Sequence, residues 1–342
     1  MVSMKDVAES CGVSIATVSK AMNDHSDISE ETKQRIRRTA EKMGYFPNLA
    51  ARALKTNRTY NIGVLYEDEA HSGLTHEYFA SVLEGFKAES ESRGYDITFI
   101  NRTVSNKTMS YYEHCKYRGL DGVVVACIDF YEPDVVALVN SSIPTVTIDH
   151  VFKNCTSVVS DNYTGMEDIL RYLYNMGHRK IAYLHGESDT EVTKTRLTAF
   201  YETAASLGLE IPPEYVMECD YCHVQMAAIR TSRLIKMTDR PSCIIYPDDM
   251  TAISGVSEIK RSGLSVPGDI SVVGYDGGLL SELVNPPLTT IKQNTSQIGK
   301  LAAIRLIETI ESYAQNSQET PPVRREVVEG ELIPGKTVRK MN

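Results

Sequence analysis

The stretch KDVAESCGVSIATVSKAMN, residues 5–23, decides the fold of the N-terminal region. Ser3 and Asp6 match a capping box, which predicts the start of a helix that Gly12 ends. Ser14 is a natural N-cap for a second helix. Two helices joined by a three-residue turn that contains a glycine are typical of a helix-turn-helix.

The second predicted helix has two different faces. Val18, Ala21 and Met22 share an apolar face at helical spacing. The opposite face carries Ile15, Ala16, Ser19 and Lys20. An all-α head over residues 1–46 follows from this pattern.

A third helix is predicted over residues 30–43, EETKQRIRRTAEKM, with Ser29 as its N-cap and Gly44 just past its end. Ile36 and Ala40 recur on its apolar face. A generic three-helix core would explain this spacing equally well, so periodicity alone leaves the helix-turn-helix open.

Charge is distributed unevenly along the 342 residues, whose formal net charge is -9. Residues 1–60 hold ten Lys or Arg and seven Asp or Glu, a net of +3, and the rest holds 26 and 38, a net of -12. A basic head on an acidic body suits a protein whose N-terminus contacts DNA. Without an apolar run at its start, and with seven scattered cysteines, we expect a cytoplasmic protein with reduced thiols and no cofactor or metal.

The order of residues in the head carries a resemblance to a known family. KDVAESCGVSIATVSKAMN, followed by ISEETKQRIRRTAEKMGYFPNLAARAL, closely resembles the DNA-binding head of the LacI family of bacterial transcription regulators. The resemblance implies that Ile15, Ala16 and Lys20 face bases in the major groove. Lys20 would carry most of the polar readout, because the other two side chains are apolar. Contacts to the DNA backbone are implied for Ser14, Thr17, Ser19 and Asn23.

Residues 47–59 are predicted to link the head to the body. Pro47 interrupts this segment before NLAARAL, a run too short to stay helical in isolation. By the resemblance, this hinge folds when two subunits pair over DNA, with Asn48, Ala51 and Leu54 contacting DNA and Leu54 inserted into a base step of the minor groove. The alternative is a solvated linker with Leu54 packed on the body.

From residue 60 onward, short β-rich runs alternate with longer helical ones, which is typical of βαβ units and parallel sheets. This order also resembles the LacI family, whose body is periplasmic-binding-protein-like. We therefore expect an α/β body of two doubly wound parallel-sheet lobes around a cleft. The implied boundaries are 60–161 plus 292–322 for the N-lobe and 162–291 plus 323–342 for the C-lobe.

Ligands of open α/β sheets bind beyond the carboxyl ends of the strands, so polar residues that follow strands are candidates for an effector site. These candidates are Tyr66, Glu67, Asp149, Asp248 and Asp276. The resemblance adds three further effector-binding residues, Arg196, Tyr221 and Gln293, and keeps the three aspartates. Each has a structural alternative: Asp248 or Asp276 could cap the next element, Arg196 could be a partner of Asp149, and Tyr221 could belong to the core.

Carboxylates, an arginine, an amide and a flat ring suit a polyol, so we expect a neutral sugar as effector. A nucleobase or a partner protein is the alternative within the family. The expected function is a homodimeric repressor of carbohydrate-utilisation genes that binds a pseudo-palindromic operator and is gated by this ligand. With no apolar heptad run at the C-terminus, nothing indicates a tetramerising coil.

Two further motifs compete with this interpretation. GELIPGKT, residues 330–337, matches the phosphate-loop pattern, but the five residues that follow are too few for the required helix. CDYCH, residues 219–223, matches a haem-attachment pattern, and we interpret it as ordinary cysteines rather than a haem or zinc site. No catalytic motif accompanies the cleft carboxylates, so we do not expect an enzyme. The basic head argues against a transport binding protein.

Overall fold

The computed structural model describes residues 2–46, 58–67, 73–104, 107–314 and 322–341. The chain divides into two compact units: Met1–Thr59, which contains the head, and Tyr60–Asn342, the body. The predicted hinge contacts Asn48, Ala51 and Leu54 lie outside the described residues. A membrane-spanning helix of sufficient length and apolarity is absent from the described ranges.

The described part of the head contains three helices, α1 (Met4–Cys11), α2 (Ile15–Met22) and α3 (Glu30–Lys42). The predicted capping box is present at Ser3, and the Ser14 hydroxyl accepts a hydrogen bond from the backbone N–H of Thr17. Gly12 takes a left-handed conformation with φ of 66°, which allows the tight turn into α2. The helix-turn-helix predicted from local signals is therefore confirmed.

The core of the head is formed where the apolar faces of the three helices meet. Its buried side chains are Val7, Ala8, Val18, Ala21, Ile36, Ala40 and Tyr45. This small core fixes which face of α2 remains available to a partner.

The body is built from alternating strands and helices. Its described strands are β1 (Asn61–Tyr66), β2 (Asp96–Ile100), β3 (Thr103–Val104), β4 (Lys107–Thr108), β5 (Gly122–Cys127), β6 (Thr145–Ile148), β7 (Thr156–Ser160), β8 (Ile181–His185), β9 (Val216–Glu218), β10 (Cys243–Ile245), β11 (Ser271–Val273), β12 (Thr290–Lys292), β13 (Arg325–Val328) and β14 (Glu331–Ile333). Its described α-helices are α4 (Glu77–Ser92), α5 (Tyr111–Arg118), α6 (Pro133–Val139), α7 (Asn162–Asn175), α8 (Glu191–Ser206), α9 (Val224–Ile235), α10 (Asp249–Arg261), α11 (Leu279–Leu283) and α12 (Thr295–Ala314).

The N-lobe contains a parallel sheet of six strands in the order β13-β7-β6-β5-β1-β2. Side chains of α4 and α12 pack into the core on one face, and those of α5 and α6 pack on the other. The helices α4 and α12 approach closely at Gly299, where a Cβ would lie only 1.9 Å from the carbonyl oxygen of Val82. Helices on both faces explain why the central strand β5, GVVVAC, is apolar and almost wholly buried.

The C-lobe contains a parallel sheet of four strands in the order β11-β10-β8-β9. Its two faces are covered by α7 and α8 on one side and by α9 and α10 on the other. Both lobes are therefore doubly wound, which confirms the predicted fold class.

One predicted boundary differs from the structure. Strand β13 pairs with β7, from Arg325 opposite Ser157 to Val328 opposite Ser160, so it belongs to the N-lobe rather than to a C-lobe segment starting at residue 323. It is an edge strand in which only Val328 is buried. Such a strand lacks the apolar run that marks a buried strand, and its sequence resembles an exposed tail.

The segment GELIPGKT closes the C-lobe. Strand β14 pairs antiparallel with β12, and the N–H of Lys336 donates to the Pro287 carbonyl at 2.7 Å. The buried Thr337 hydroxyl donates to the Val272 carbonyl at 2.6 Å, and the described residues from 334 to 341 contain no helix. Because its polar groups bind neighbouring loops, this segment does not form a phosphate loop.

Candidate functional site

The face of α2 opposite the head core is exposed. Ile15 keeps 49% of its surface accessible, and Ala16 and Lys20 are also exposed, whereas Val18 and Ala21 are fully buried. The pattern predicted for the recognition helix is therefore present. Exposure of Ile15 and Ala16 leaves two small apolar surfaces of the kind that can contact a thymine methyl group.

Several polar side chains predicted to contact DNA are engaged within the head. The Asn23 amide donates to the Ser19 carbonyl at 2.7 Å, and the Ser14 and Thr17 hydroxyls lie 2.9 Å apart. The Lys20 ammonium donates to the carboxylate of Asp27. Sequence reasoning missed this last contact because Asp27 lies in the irregular turn before α3.

A cavity of about 320 Å³ lies between the two lobes of the body. Six of the eight candidate residues line it: Glu67 and five that the family resemblance implies, Asp149, Arg196, Tyr221, Asp276 and Gln293. Glu67 accepts a hydrogen bond from the Tyr111 hydroxyl at 2.8 Å. We call this cavity the cleft.

Asp149 follows β6 and reaches the cleft through an unusual backbone conformation, with φ of 58°. One carboxylate oxygen accepts from the Tyr78 hydroxyl at 2.5 Å and the other from the Ser160 N–H at 3.2 Å. Burial raises the pKa of Asp149 above its ordinary value, since water no longer solvates the charge. A ligand hydroxyl that donates to this carboxylate would replace the lost solvation.

Arg196 projects from α8 and is almost completely buried. Its Nε donates to Asn162 Oδ1 and its Nη1 to the Pro247 carbonyl, both at 2.8 Å. Its guanidinium lies 3.4 Å from the ring centroid of Tyr275. These contacts hold the guanidinium rigidly, and among the described contacts its hydrogen bonds go to these two groups rather than to Asp149.

Asp276 and Gln293 lie side by side where the C-lobe meets the N-lobe. The Gln293 amide donates to Asp276 Oδ1 at 2.7 Å, and its carbonyl oxygen accepts from the Ser160 hydroxyl of the N-lobe. Burial raises the pKa of Asp276 well above its ordinary value, and the nearby carboxylate of Asp249 raises it further. Gln293 therefore links the two lobes at the floor of the cleft.

Two predicted effector residues do not line the cleft. Tyr66 packs its ring edge-on against Phe79, with centroids 5.7 Å apart, in the N-lobe core. Asp248 caps α10 through the Thr251 N–H at 2.8 Å, as the structural alternative predicted, and it also accepts from the Cys222 N–H. Asp248 lies instead in an adjoining chamber of about 240 Å³.

Tyr221 lies in the loop before α9 and forms part of the cleft wall. Its hydroxyl lies 2.9 Å from that of Thr193, and its ring packs so closely on Gly186 that a Cβ there would be 2.0 Å away. In the same loop, Cys219 is buried and His223 caps α9 by accepting from the Met226 N–H. The CDYCH stretch thus places an aromatic ring in the cleft.

Sequence reasoning missed most of the aromatic lining. Phe79, Phe130 and Tyr131 contribute rings from the start of α4 and from the loop after β5. The Tyr131 hydroxyl also donates across the cleft to the Asp189 carbonyl at 3.4 Å. Only the position of the β5 loop, beyond the carboxyl end of a predicted strand, could have indicated Phe130 and Tyr131.

Similarity to known proteins covers both units. Residues 3–48 match the family described as "Bacterial regulatory proteins, lacI family", and residues 170–338 match "Periplasmic binding protein-like domain". The HTH-type transcriptional repressor PurR of Aliivibrio fischeri is 31% identical over 315 residues, which cover 91% of this chain and 92% of that protein. The PurR of Photobacterium profundum is 31% identical over an alignment of 350 residues, which covers 100% of this chain and 100% of that protein.

Solved structures share the fold. The lac repressor dimer bound to operator and the anti-inducer ONPF has a TM-score of 0.81 and 24% identity, with 99% of each chain covered. The complex of the transcriptional regulator CelR with cellobiose has a TM-score of 0.70 and 22% identity, covering 98% of this chain and 100% of the other. The chain belongs to the lacI family of bacterial regulatory proteins, and it is a DNA-binding transcriptional repressor.

Proposed function

We propose that a small neutral ligand binds in the cleft and controls the binding of the head to operator DNA. The observation that carries this proposal is the convergence of Asp149, Arg196 and Asp276 from three separate elements on one cavity. Side chains from both lobes line it, so a bound ligand would contact both and bias their relative position. The volume of about 320 Å³ falls at the small end of typical ligand sites, roughly 300–1,000 Å³.

A sugar is our first candidate for the ligand. Asp149 and Asp276 offer carboxylate oxygens that accept from hydroxyl groups, and Arg196 offers the guanidinium N–H groups not used by Asn162 and Pro247. The Tyr221 ring supplies a flat surface for the C–H face of a pyranose. The regulated genes would then serve carbohydrate utilisation.

A nucleobase is the second candidate, and the aromatic lining favours it. Phe79, Phe130 and Tyr131 add rings that the sequence did not predict, and planar bases stack on such rings. Paired donors and acceptors on Gln293 and Asp276 would suit a base edge equally well.

The charge of the cleft argues against an anionic ligand. Its lining, within the described ranges, contains seven carboxylates and one arginine. Burial lowers the pKa of His150 in the same lining, so this imidazole stays neutral near pH 7. A phosphate group would meet a surplus of negative charge.

We propose that the exposed face of α2 contacts DNA. Ile15, Ala16 and Lys20 are proposed to read bases. The backbone contacts proposed for the head are Ser14, Thr17, Ser19 and Asn23. Asn48, Ala51 and Leu54 remain proposed contacts of the hinge.

A homodimer on a pseudo-palindromic operator is part of the proposal. Large apolar side chains are exposed on adjoining helices of the C-lobe, with accessible fractions of 41% for Met250, 62% for Leu279 and 68% for Leu283. Such a patch is typical of a protein interface. A second copy of the chain would cover it and bring a second head to the opposite half-site.

Thermal unfolding with a ligand panel tests the ligand class. The panel holds pentoses, hexoses, disaccharides, nucleobases and nucleosides, with sugar phosphates and Mg-ATP as anionic controls. A ligand at 100 times its Kd stabilises a protein by about 2.7 kcal/mol. We expect a neutral ring compound to raise Tm in the wild type and not in Asp276→Ala. A response to the phosphorylated compounds alone would contradict the proposal.

A further inference from the structure

Lys20 lies in the last turn of α2 and is tied to the turn that precedes α3. Its ammonium contacts Asp27 Oδ2, and the two side chains remain 48% and 51% exposed. The pair therefore lies at the surface of the head. Lys20 belongs to the exposed face of α2, which we propose to contact DNA.

The second carboxylate of this turn has different partners. Asp24 lies 3.1 Å from the Lys33 ammonium and 3.0 Å from the Arg37 guanidinium, so two cations of α3 balance its charge. Asp27 forms its ion pair with Lys20. The hydrogen bond from Lys20 lowers the pKa of Asp27, which keeps this carboxylate charged.

We propose that Asp27 is a specificity-determining residue because it competes with DNA for the Lys20 ammonium. The inference rests on the proposed role of Lys20. A lysine ammonium on a flexible stem is a point charge that can bind any phosphate. While Lys20 pairs with Asp27, its positive charge is already balanced. If Lys20 moves to DNA instead, the Asp27 carboxylate loses its partner and faces the negative charge of the DNA.

The transfer is therefore favourable only where the DNA offers a good acceptor. Guanine presents two acceptors, N7 and O6, in the major groove. A base pair without such acceptors does not compensate Lys20 for the loss of its contact with Asp27. Binding to non-specific DNA depends mainly on phosphate contacts, so Asp27 reduces that binding more than it reduces binding to the operator.

The test variant is Asp27→Asn, which keeps the shape of the side chain and removes its charge. We expect Lys20 to become available to phosphates, so affinity for random-sequence duplex DNA rises severalfold. One added phosphate contact steepens the salt dependence by about 0.9 in slope, or roughly 3.5-fold in affinity between about 50 and 200 mM salt. Base preference at the position read by Lys20 should fall.

Asp24→Asn is the matched control. It changes the net charge by the same amount in the same turn, and asparagine tolerates the φ of 61° found at Asp24. Because Asp24 contacts Lys33 and Arg37 rather than Lys20, base preference should stay unchanged in this variant. The assays are fluorescence anisotropy at two salt concentrations and selection from a randomised duplex library, both with the full-length protein.

Selection with Lys20→Ala tests the proposed role of Lys20 separately from that of Asp27. If Lys20→Ala relaxes base preference and Asp27→Asn does so too, the inference is supported. Where Lys20→Ala relaxes preference but Asp27→Asn behaves like Asp24→Asn, Asp27 is a surface charge only and the inference is wrong. An unchanged preference in Lys20→Ala would overturn both the proposed role of Lys20 and the inference.

Discussion

Replacing Arg196 by methionine tests whether this guanidinium organises the cleft. The substitution keeps much of the apolar stem and removes the charge. It leaves the buried oxygens of Asn162 and Pro247 without their donors, and it removes the cation that lies 3.4 Å from the centre of the Tyr275 ring. It also removes a positive charge near the buried carboxylates of the cleft: burial raises the pKa of both Asp149 and Asp276, and the charge of Arg196 partly offsets that rise.

The expected loss in the free energy of unfolding follows from these contacts. Loss of one partner from a buried charged network costs about 3–5 kcal/mol. With a urea slope of about 3 kcal/mol per M, the unfolding midpoint of the ligand-free protein should fall by about 1–2 M. Urea denaturation followed by circular dichroism measures this shift, with Arg171→Met as the control, since Arg171 is half exposed and pairs with Glu167 on its own helix. A shift for Arg196→Met no larger than that of the control would refute the reasoning.

Other predictions follow from single contacts. Burial raises the pKa of Asp249 to about 7, so the folded state holds a proton that the unfolded chain releases near pH 4. The stability from this proton is present below pH 4 and is lost as pH rises to 7, by at most about 4 kcal/mol at 1.36 kcal/mol per pKa unit. Guanidinium denaturation at a series of pH values should therefore show that the free energy of unfolding falls more steeply with rising pH in the wild type than in Asp249→Asn. The same pH dependence in both proteins would contradict this. Gly299→Ala should lower the free energy of unfolding by about 3 kcal/mol, because the new Cβ would meet the Val82 carbonyl oxygen, and a Tm equal to that of the wild type would show that α4 and α12 separate freely. Thr337→Val should cost about 1–3 kcal/mol through the unsatisfied carbonyl of Val272, and Mg-ATP should leave the Tm of wild type and variant unchanged.

The head could be predicted almost completely from the sequence. Its signals are local: Ser3, Ser14 and Ser29 cap the three helices, and Gly12 and Gly44 take the left-handed conformation just past the ends of α1 and α3. Such signals act within four residues of each other, so they can be identified without knowledge of the tertiary fold. The Lys20–Asp27 contact could not be identified in this way, because it joins a helix to an irregular turn.

The cleft could be predicted only in part. Asp149 and Asp276 follow strands, and the rule that ligands bind at strand ends placed both correctly. The same rule placed Tyr66 in the cleft, but the pairing of β1 with β5 shifts register between Leu65 and Tyr66, and the ring packs against Phe79 instead. Strand-end position therefore identifies candidates without fixing the direction of the side chain.

The aromatic lining was missed for a related reason. Phe130 stacks on His150 with ring centroids 4.4 Å apart, and the two residues come from loops after different strands. Neither loop has a periodic pattern that would reveal which side chains turn inward. This aromatic surface keeps a nucleobase beside a sugar as a candidate ligand.

Reciprocal titration of ligand and operator tests the central claim most directly. The operator comes from the randomised-library selection and the ligand from the thermal panel. Allosteric coupling of about 1–3 kcal/mol corresponds to a change of about 5- to 150-fold in affinity. We predict that saturating ligand changes the Kd for operator by such a factor, and that operator changes the Kd for ligand by the same factor. Equal ligand affinity with and without operator would show that the cleft does not gate the head.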